Sequence, residues 1–186
     1  MGDLQPKGDI RHDEALARKA ADGCEASFKA LFTRYYPEIR NFAFRRCHCM
    51  ETANDISQTV FIRVARTVAD FRHESSFRSW LYQIAINCLR DDVRKRGTYD
   101  RHVAEFGEAS DGVASKNAPV PSALLQAIQL IESLPEALRD AVVLVSAQGL
   151  THREAAEVLG CPEGTVAWKI SEARRHLTDH KNAAQA

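Results

Sequence analysis

The chain has 186 residues, of which 45% are apolar and 27% charged, and its 25 basic and 25 acidic side chains balance. This length suits one or two small domains, and the balanced charge excludes both a basic tail protein and an acidic disordered chain. No apolar run approaches the roughly 20 residues that span a bilayer, and the first residues lack the apolar core of a signal peptide. We therefore predict a cytoplasmic protein without membrane insertion.

The first half of the chain has a helical pattern almost throughout. Apolar residues recur at the i, i+3, i+4, i+7 spacing of one helix face, in stripes that begin at Phe28, Ile56 and Phe77. A short helix precedes them between Asp13 and Ala21. The spacing predicts a four-helix domain over residues 1–96.

The helical pattern stops between residues 97 and 121. This segment contains three glycines, two prolines and few large apolar residues, which is typical of a flexible linker. Helical spacing returns at Ser122 and indicates a second helical domain over residues 122–186. The predicted fold class is therefore all-α, with two small helical domains joined by a flexible linker.

A helix-turn-helix is predicted in the second domain, in the stretch GLTHREAAEVLGCPEGTVAWKISEARRHL. Thr151 suits a helix N-cap, and Glu154 three residues later completes a capping box. Gly160 suits the left-handed residue that ends a helix, and Pro162 suits the first turn of the next one. These signals favour a helix-turn-helix over a plain helical hairpin.

The second helix of this motif has two distinct faces. Its predicted buried face consists of Val166, Ile170, Ala173 and Leu177. The opposite face is the one that a recognition helix places in the major groove. The predicted DNA-contacting residues are Thr165, Trp168, Lys169, Ser171, Glu172, Arg174 and Arg175.

The charge of each segment argues against strong, independent DNA binding. Residues 122–186 carry six basic and eight acidic side chains, a net charge of −2, and the linker also has a net charge of −2. The first domain has 17 basic and 13 acidic side chains, a net charge of +4. Independent binders make about 6–10 phosphate contacts. A further partner that tethers both domains must therefore supply most of the affinity.

Four stretches in order resemble the extracytoplasmic-function (ECF) sigma factors of bacterial RNA polymerase. DEALARKAADGCEASFKALFTRYYPEIR resembles the first conserved region, and ANDISQTVFIRVAR is similar to the polymerase-binding helix. FRSWLYQIAINCLRDDVRKR resembles the segment that opens and reads the −10 element, and the stretch from Leu134 to Leu177 resembles the −35-binding domain. The resemblance implies a sigma-two domain over residues 1–96 and a sigma-four domain over residues 122–186.

The resemblance also implies roles and partners. Asp55, Gln58 and Phe61 are expected to point outward and bind core RNA polymerase. The residues expected to bind the −10 element of promoter DNA are Phe71, Arg72, His73, Ser75, Ser76, Arg78, Asn87, Arg90, Arg94 and Lys95. Trp80 either stacks on a base or, because it shares a stripe with core residues, packs in the core. An anti-sigma factor is the expected inhibitory partner, with no cofactor and no small-molecule substrate.

Three positions on the recognition helix depart from the family pattern. Ala167, Trp168 and Glu172 stand where relatives usually carry basic or small polar residues. A glutamate can accept a hydrogen bond from cytosine N4, and a tryptophan can contact a thymine methyl group. These differences predict an atypical −35 preference.

Other functions remain open on the sequence alone. A helix-turn-helix regulator that acts without polymerase, or a helical adaptor that binds no DNA, fits the helical pattern, whereas no enzyme motif is present. The five cysteines are irregularly spaced, so structural disulfides are not expected. Cys47, His48 and Cys49 suggest a metal or redox site, but adjacent residues do not easily bind one ion together and no second pair follows. Free thiols are the favoured interpretation.

Overall fold

The computed structural model describes residues 10–106, 130–131 and 133–183, and this part of the chain contains helices and no strand. The helices are α1 (Ile10–Ala21), α2 (Glu25–Cys47), α3 (Met50–Thr67), α4 (Phe77–Phe106), α5 (Glu136–Val142), α6 (His152–Leu159) and α7 (Glu163–Ala183). A 3-10 turn at Val68–Asp70 follows α3, and a π-helical turn at Val143–Ala147 follows α5. The all-α prediction is confirmed.

The first four helices pack their apolar stripes into one core. The rings of Phe42 on α2 and Tyr82 on α4 meet edge to face at a centroid distance of 5.2 Å, and both are fully buried. A buried carboxylate fastens α1 to α2, because Asp13 pairs with Arg34 and accepts a hydrogen bond from the Tyr35 hydroxyl at 2.6 Å. The arrangement confirms the predicted group of four helices.

Helix α4 is longer than the sequence predicted. It continues through residues 97–106, which were assigned to the linker. A single glycine inside a helix costs only about 1 kcal/mol, and the nine residues after Gly97 include no proline or further glycine. The prediction of a linker beginning at Gly97 is therefore wrong for these ten residues. The rest of the linker, and the helix predicted to begin at Ser122, lie outside the described residues up to position 129.

The helix-turn-helix forms as its sequence signals predicted. The Thr151 hydroxyl accepts a hydrogen bond from the backbone N–H of Glu154 at 3.2 Å, and the Glu154 carboxylate accepts one from the backbone N–H of Thr151 at 2.7 Å. This reciprocal pair is the predicted capping box. Gly160 ends α6 in the left-handed region with φ of 64°, and α7 begins directly after Pro162. The predicted motif is confirmed.

The two helical domains pack directly against each other. Leu144 and Leu150 of the second domain belong to the same buried cluster as Phe42 and Tyr82 of the first. Helix α6 lies along α4, and α5 packs on α7 within the second domain. The sequence predicted two tethered domains and gave no sign of this shared core.

Candidate nucleic-acid interface

The outer face of α7 is the surface that the sequence predicted. Trp168 is 59% exposed, the largest exposed fraction among the exposed large apolar side chains of the described residues. Ser171, Arg174 and Arg175 are also exposed, while Thr165, Lys169 and Glu172 are half-buried. On the opposite side Val166, Ile170 and Ala173 are buried, and Leu177 packs at the edge of a smaller cluster. The structure therefore brings the predicted reading residues together on one helix surface.

Glu172 is held by side chains of its own helix. Its carboxylate accepts hydrogen bonds from the Arg175 guanidinium, one of them from Nε at 3.2 Å, and it lies 3.6 Å from Nε2 of His176. The Arg175 hydrogen bonds hold the pKa of Glu172 below its usual value. The carboxylate thus offsets the charge of Arg175, and part of its capacity to accept hydrogen bonds is already used within its own helix.

Replacing Glu172 by glutamine is expected to strengthen DNA binding by the full-length chain. Glu172→Gln removes the negative charge that faces Arg175, so affinity for a −35 duplex should rise about fivefold and the salt dependence should steepen by about one counterion. Fluorescence anisotropy across a salt series measures both quantities. Glu157→Gln on α6 makes the same change in net charge, and Glu157 pairs with Arg153 at 3.7 Å. Equal gains for both variants would show that net charge alone matters.

The α3–α4 connection contains a left-handed residue and a packed aromatic group. The Phe71 ring is only 8% exposed and lies against His73, Trp80 and Phe77 at centroid distances of 4.4, 4.9 and 6.1 Å. His73 has a φ of 57°, which turns the chain back toward α4. The prediction that Phe71 offers a surface for base stacking is therefore wrong in this arrangement, because its ring packs in the core. Trp80 is half-buried on the same stack, in agreement with its core interpretation.

The polar residues of the α3–α4 connection differ in how far they are exposed to solvent. Arg72 is exposed, whereas Ser75, Ser76 and His73 are half-buried. The Ser76 hydroxyl accepts a hydrogen bond from the backbone N–H of Ser79 at 3.0 Å, which caps the start of α4. Ser76 is therefore already engaged in a structural role.

The predicted −10 residues on α4 divide into two groups. Asn87, Arg94 and Lys95 are exposed. Arg78 instead donates a hydrogen bond to the backbone carbonyl of Gln148 at 2.7 Å, and Arg90 lies 3.5 Å from Asp140. In this structure the second domain therefore engages both arginines, and they are not free to follow a DNA strand as predicted.

Arg78 lies in a partly buried polar cluster. It donates to Glu38 at 3.3 Å, and its guanidinium carbon is 5.4 Å from the centre of the Tyr82 ring. Burial alone would lower the pKa of Arg78, but Tyr82 and Glu38 together raise it above its usual value. Burial, and then the nearby Glu38 carboxylate, raise the pKa of the Tyr82 hydroxyl. The guanidinium therefore stays charged and the phenol stays neutral at physiological pH.

On α3, two of the three predicted polymerase-binding residues are exposed. Asp55 and Gln58 lie on the surface, but Phe61 is only 4% exposed. Its ring lies 4.9 Å from Phe32 and 5.9 Å from Tyr36, so the prediction that it points outward is wrong. Phe61 follows the buried Ser57 by four residues and therefore lies on the inner face of the helix.

An exposed apolar residue on α3 was missed. Ile62 is 52% exposed and follows Gln58 by four residues, so it continues the outer face of the helix. The signal in the sequence was this spacing from Gln58. Asp55, Gln58 and Ile62 form the outer face of α3.

None of the five cysteines forms a disulfide, and Cys88 is buried while Cys24 is exposed. The Cys47 thiol donates to the backbone carbonyl of Cys49 at 3.3 Å. Across the part of the chain that the structure describes, no group of three or more histidine, cysteine, aspartate or glutamate side chains is arranged to hold a metal ion. Within the same residues, no helix is long and apolar enough to cross a membrane.

Thiol labelling near neutral pH is expected to modify Cys24 long before Cys88. The Ser27 hydroxyl donates to the Cys24 sulfur at 3.2 Å and lowers the pKa of this thiol, so more of it is thiolate. Burial raises the pKa of Cys88. Mass spectrometry after timed alkylation measures the order of modification. Ser27→Ala should slow labelling at Cys24 alone, and an unchanged rate would show that exposure, not the hydrogen bond, sets its reactivity.

Sequence comparisons agree with this geometry. The family model for Sigma-70 region 2 matches residues 31–99, and that for Sigma-70, region 4 matches residues 124–177. The RNA polymerase sigma-H factor of Pseudomonas aeruginosa is 34% identical over 176 residues, which cover 89% of this chain and 91% of the relative. The ECF RNA polymerase sigma-E factor of Escherichia coli K12 is 31% identical over 176 residues, covering 89% and 92%.

Solved structures share the fold. CnrH in complex with the cytosolic domain of CnrY has a TM-score of 0.74 at 24% identity, covering 92% of this chain and 98% of that one. The sigma factor RpoE in complex with the anti-sigma factor NepR from Bartonella quintana has a TM-score of 0.68 at 27% identity, covering 82% and 94%. The chain belongs to the sigma-70 family of RNA polymerase sigma factors, as an ECF member.

Proposed function

We propose that this chain is an alternative-sigma transcription initiation factor that binds core RNA polymerase, directs it to promoters with −10 and −35 elements, and promotes strand opening. One observation carries the proposal: regions 2 and 4 follow each other in one chain, and region 4 ends in a helix-turn-helix whose reading face is exposed. The proposal also explains why neither domain has the charge of an independent DNA-binding protein.

Core polymerase binds the outer face of α3 in this proposal. Asp55 and Gln58 supply polar contacts, and the exposed side chain of Ile62 supplies apolar area beside them. An apolar centre with a polar rim is typical of protein interfaces. Phe61, packed on Phe32 and Tyr36, holds this helix in place from the inner side.

The −10 element binds the first domain. Arg72, Asn87, Arg94 and Lys95 are exposed on the α3–α4 connection and on α4, and the domain has a net charge of +4 over residues 1–96. Cationic side chains along a helix follow a strand backbone, and binding to the single strand favours opening without ATP. Arg78 and Arg90 join this surface only once the second domain has moved away.

The −35 element binds α7, with Trp168 as its most exposed apolar side chain. An indole at this position favours contact with a thymine methyl group over a hydrogen-bonded base edge. Glu172 holds Arg175 and so limits its contact with phosphate. We expect a −35 preference that differs from those of relatives with basic residues at these positions.

An anti-sigma factor is the proposed inhibitory partner. Support comes from the Bartonella quintana sigma factor of similar fold, which was solved with the anti-sigma factor NepR and is 27% identical to this chain. The exposed apolar side chains of Ile62 and Trp168 lie on the surfaces that such a partner would have to cover. We further propose that one anti-sigma factor covers the outer face of α3 and the outer face of α7 at the same time.

Run-off transcription with bacterial core polymerase on a genomic promoter library tests the function. Addition of the chain should produce discrete start sites that are absent with core polymerase alone. The mapped upstream sequences should share two elements about 17 base pairs apart, which is roughly 58 Å or a little under two helical turns. If no start site depends on the chain across the library, the proposal is wrong.

A further inference from the structure

Two half-buried cysteines flank the corner between α2 and α3. Cys47 is the last residue of α2, and Cys49 is the N-cap of α3. His48 between them has a φ of 53°, in the left-handed region, and its Nε2 donates a hydrogen bond to the backbone carbonyl of Arg45 at 3.0 Å. The corner is therefore a tight turn of defined geometry, and the proposed function uses neither thiol.

The backbone of this corner brings the two cysteines within reach of a disulfide. His48 has φ and ψ of 53° and 15°, and a residue in a helical conformation of either hand separates the Cα atoms on its two sides by about 5.5 Å. Disulfides usually join Cα atoms that are about 4.4–6.8 Å apart. The Cys47 side chain also extends toward its neighbour, because its Sγ lies 3.3 Å from the carbonyl oxygen of Cys49. An S–S bond can thus form without separating α2 from α3.

The two thiols differ in their surroundings. The Cys47 thiol donates a hydrogen bond to the Cys49 carbonyl, which favours its protonated form. Cys49 lies at the N-terminus of α3, a helix of 18 residues, and the positive end of a helix dipole favours a thiolate. Cys49 is therefore the nucleophile that meets an oxidant first, and Cys47 is the thiol that attacks second.

The oxidation balances with a hydroperoxide as the oxidant. The Cys49 thiolate attacks one oxygen of hydrogen peroxide, so that an S–O bond forms, the O–O bond breaks, and the released hydroxide leaves as water with the proton that the thiol gave up. Cys47 then attacks the sulfur of this sulfenic acid. The S–S bond forms, the S–O bond breaks, and the Cys47 proton leaves with the hydroxide as a second water. The pair loses two electrons to one peroxide, and a thiol reductant returns them.

The corner leads directly into the helix face that the proposed function assigns to polymerase. Glu51 is exposed and precedes Asp55 by four residues, so it begins the outer face of α3. The Cys49 carbonyl accepts the first hydrogen bond of this helix, from the backbone N–H of Ala53 at 2.9 Å. Closing so short a ring strains the backbone at Cys49 and displaces this first turn, and Glu51 moves with it.

We propose that Cys47 and Cys49 form a redox-active thiol pair, which a hydroperoxide converts to a reversible disulfide, and that this disulfide weakens the binding of core polymerase to the outer face of α3. The second part of the proposal rests on the proposed function. A disulfide that closes so short a loop gains little from chain entropy, so it is reduced readily and suits a switch rather than a structural brace.

Mass spectrometry of the full-length chain in a Cys24→Ser background tests the thiol pair. This background removes an exposed thiol that would otherwise form bonds between chains. After treatment with hydrogen peroxide, the tryptic peptide over residues 47–63 should be lighter by two hydrogens, and dithiothreitol should restore its mass. Cys47→Ser and Cys49→Ser should each abolish this change. The thiol pair is refuted if the peptide with both cysteines does not lose two hydrogens.

Titration of core polymerase with the labelled chain tests the consequence. The peroxide-treated chain should bind about fivefold more weakly than the reduced chain, the effect of disturbing one helix cap, and dithiothreitol should restore the affinity. Met50 in the same peptide is 44% exposed, but its sulfoxide adds one oxygen and is not reversed by dithiothreitol. Cys47→Ser keeps a donor for the Cys49 carbonyl and should bind equally well before and after peroxide.

Control of polymerase binding by the disulfide is refuted if the oxidised and reduced chains bind equally well. It is equally refuted if Cys47→Ser loses as much affinity on oxidation as the chain with both cysteines. Failure of the reduced chain to bind polymerase would remove the proposed function and the second part of the proposal, while the mass of the peptide still decides the first part. Binding by the reduced chain without any disulfide would keep the function and refute the thiol pair.

Discussion

The double substitution Asp55→Lys with Gln58→Ala is expected to weaken binding to core polymerase by about 100-fold, the effect of losing one strong interface residue. Both side chains are exposed on the outer face of α3, so the protein should stay folded while it loses polar contacts and gains a charge of the wrong sign. Titration of labelled chain with core polymerase measures the affinity. Run-off transcription at a limiting concentration of the chain should fall in parallel.

A control with the same change in charge is available in the first domain. Asp22 is exposed in the turn between α1 and α2, and Asp22→Lys should leave polymerase binding within about twofold, as expected for a position outside the interface. If both variants bind core polymerase as the wild type does, the docking surface lies elsewhere.

Ile62 and Phe61 allow the same surface to be tested from its two sides. Ile62→Ala should reduce polymerase affinity with little change in stability, because Ile62 is 52% exposed. Phe61→Ala should instead lower the free energy of unfolding, by about 3 kcal/mol, because the ring packs on Phe32 and Tyr36. The opposite pattern would restore Phe61 as the contacting residue.

Removal of the Asp13 carboxylate is expected to destabilise the first domain by about 2–4 kcal/mol. Asp13 is only 3% exposed, and Asp13→Ala leaves the Tyr35 hydroxyl without its acceptor and Arg34 without its partner. Unfolding in urea, followed by circular dichroism, measures the change. Asp22→Ala, at an exposed site, should change stability by no more than about 0.5 kcal/mol.

The conservative variant identifies the cause of the loss. Asp13→Asn keeps the shape and an acceptor oxygen for Tyr35, but it removes the charge that faces Arg34. Its cost should therefore be smaller than that of Asp13→Ala. Equal and small costs for both would show that packing of α1, through Ala17 and Ala20, holds this helix without the polar cluster.

Local signals explain which parts of the fold were predictable. The capping box of Thr151 and Glu154 and the left-handed Gly160 act within one turn of their helices, so the sequence contains all the groups that they need. The apolar stripes of α2, α3 and α4 likewise predict which faces of these helices are buried. The prediction for Phe61 was wrong because the residues directly before and after it in the sequence are also apolar. One residue along a helix corresponds to a rotation of 100° about its axis, so a shift by one position moves a side chain to another face.

Contacts between distant residues explain what was missed. Asp140 and Arg90 lie 50 positions apart, and nothing local to either predicts that they meet. The charged side chains can be counted from the sequence, but the sequence does not show which of them form ion pairs. In the sequence, Glu172 counts as one acidic residue among several. The structure shows that its carboxylate accepts hydrogen bonds from Arg175 and lies close to His176. These contacts decide which cations are available to DNA.

Promoter binding at physiological salt, with the chain alone, core polymerase alone and the two together, tests the central claim most directly. The probe is a promoter mapped in the run-off experiment, and a scrambled sequence of the same composition is the competitor. We expect sequence-specific binding only when both proteins are present. Specific binding by the chain alone, with a Kd of about 10⁻⁸ M or tighter, would contradict this account and identify a regulator that acts without polymerase.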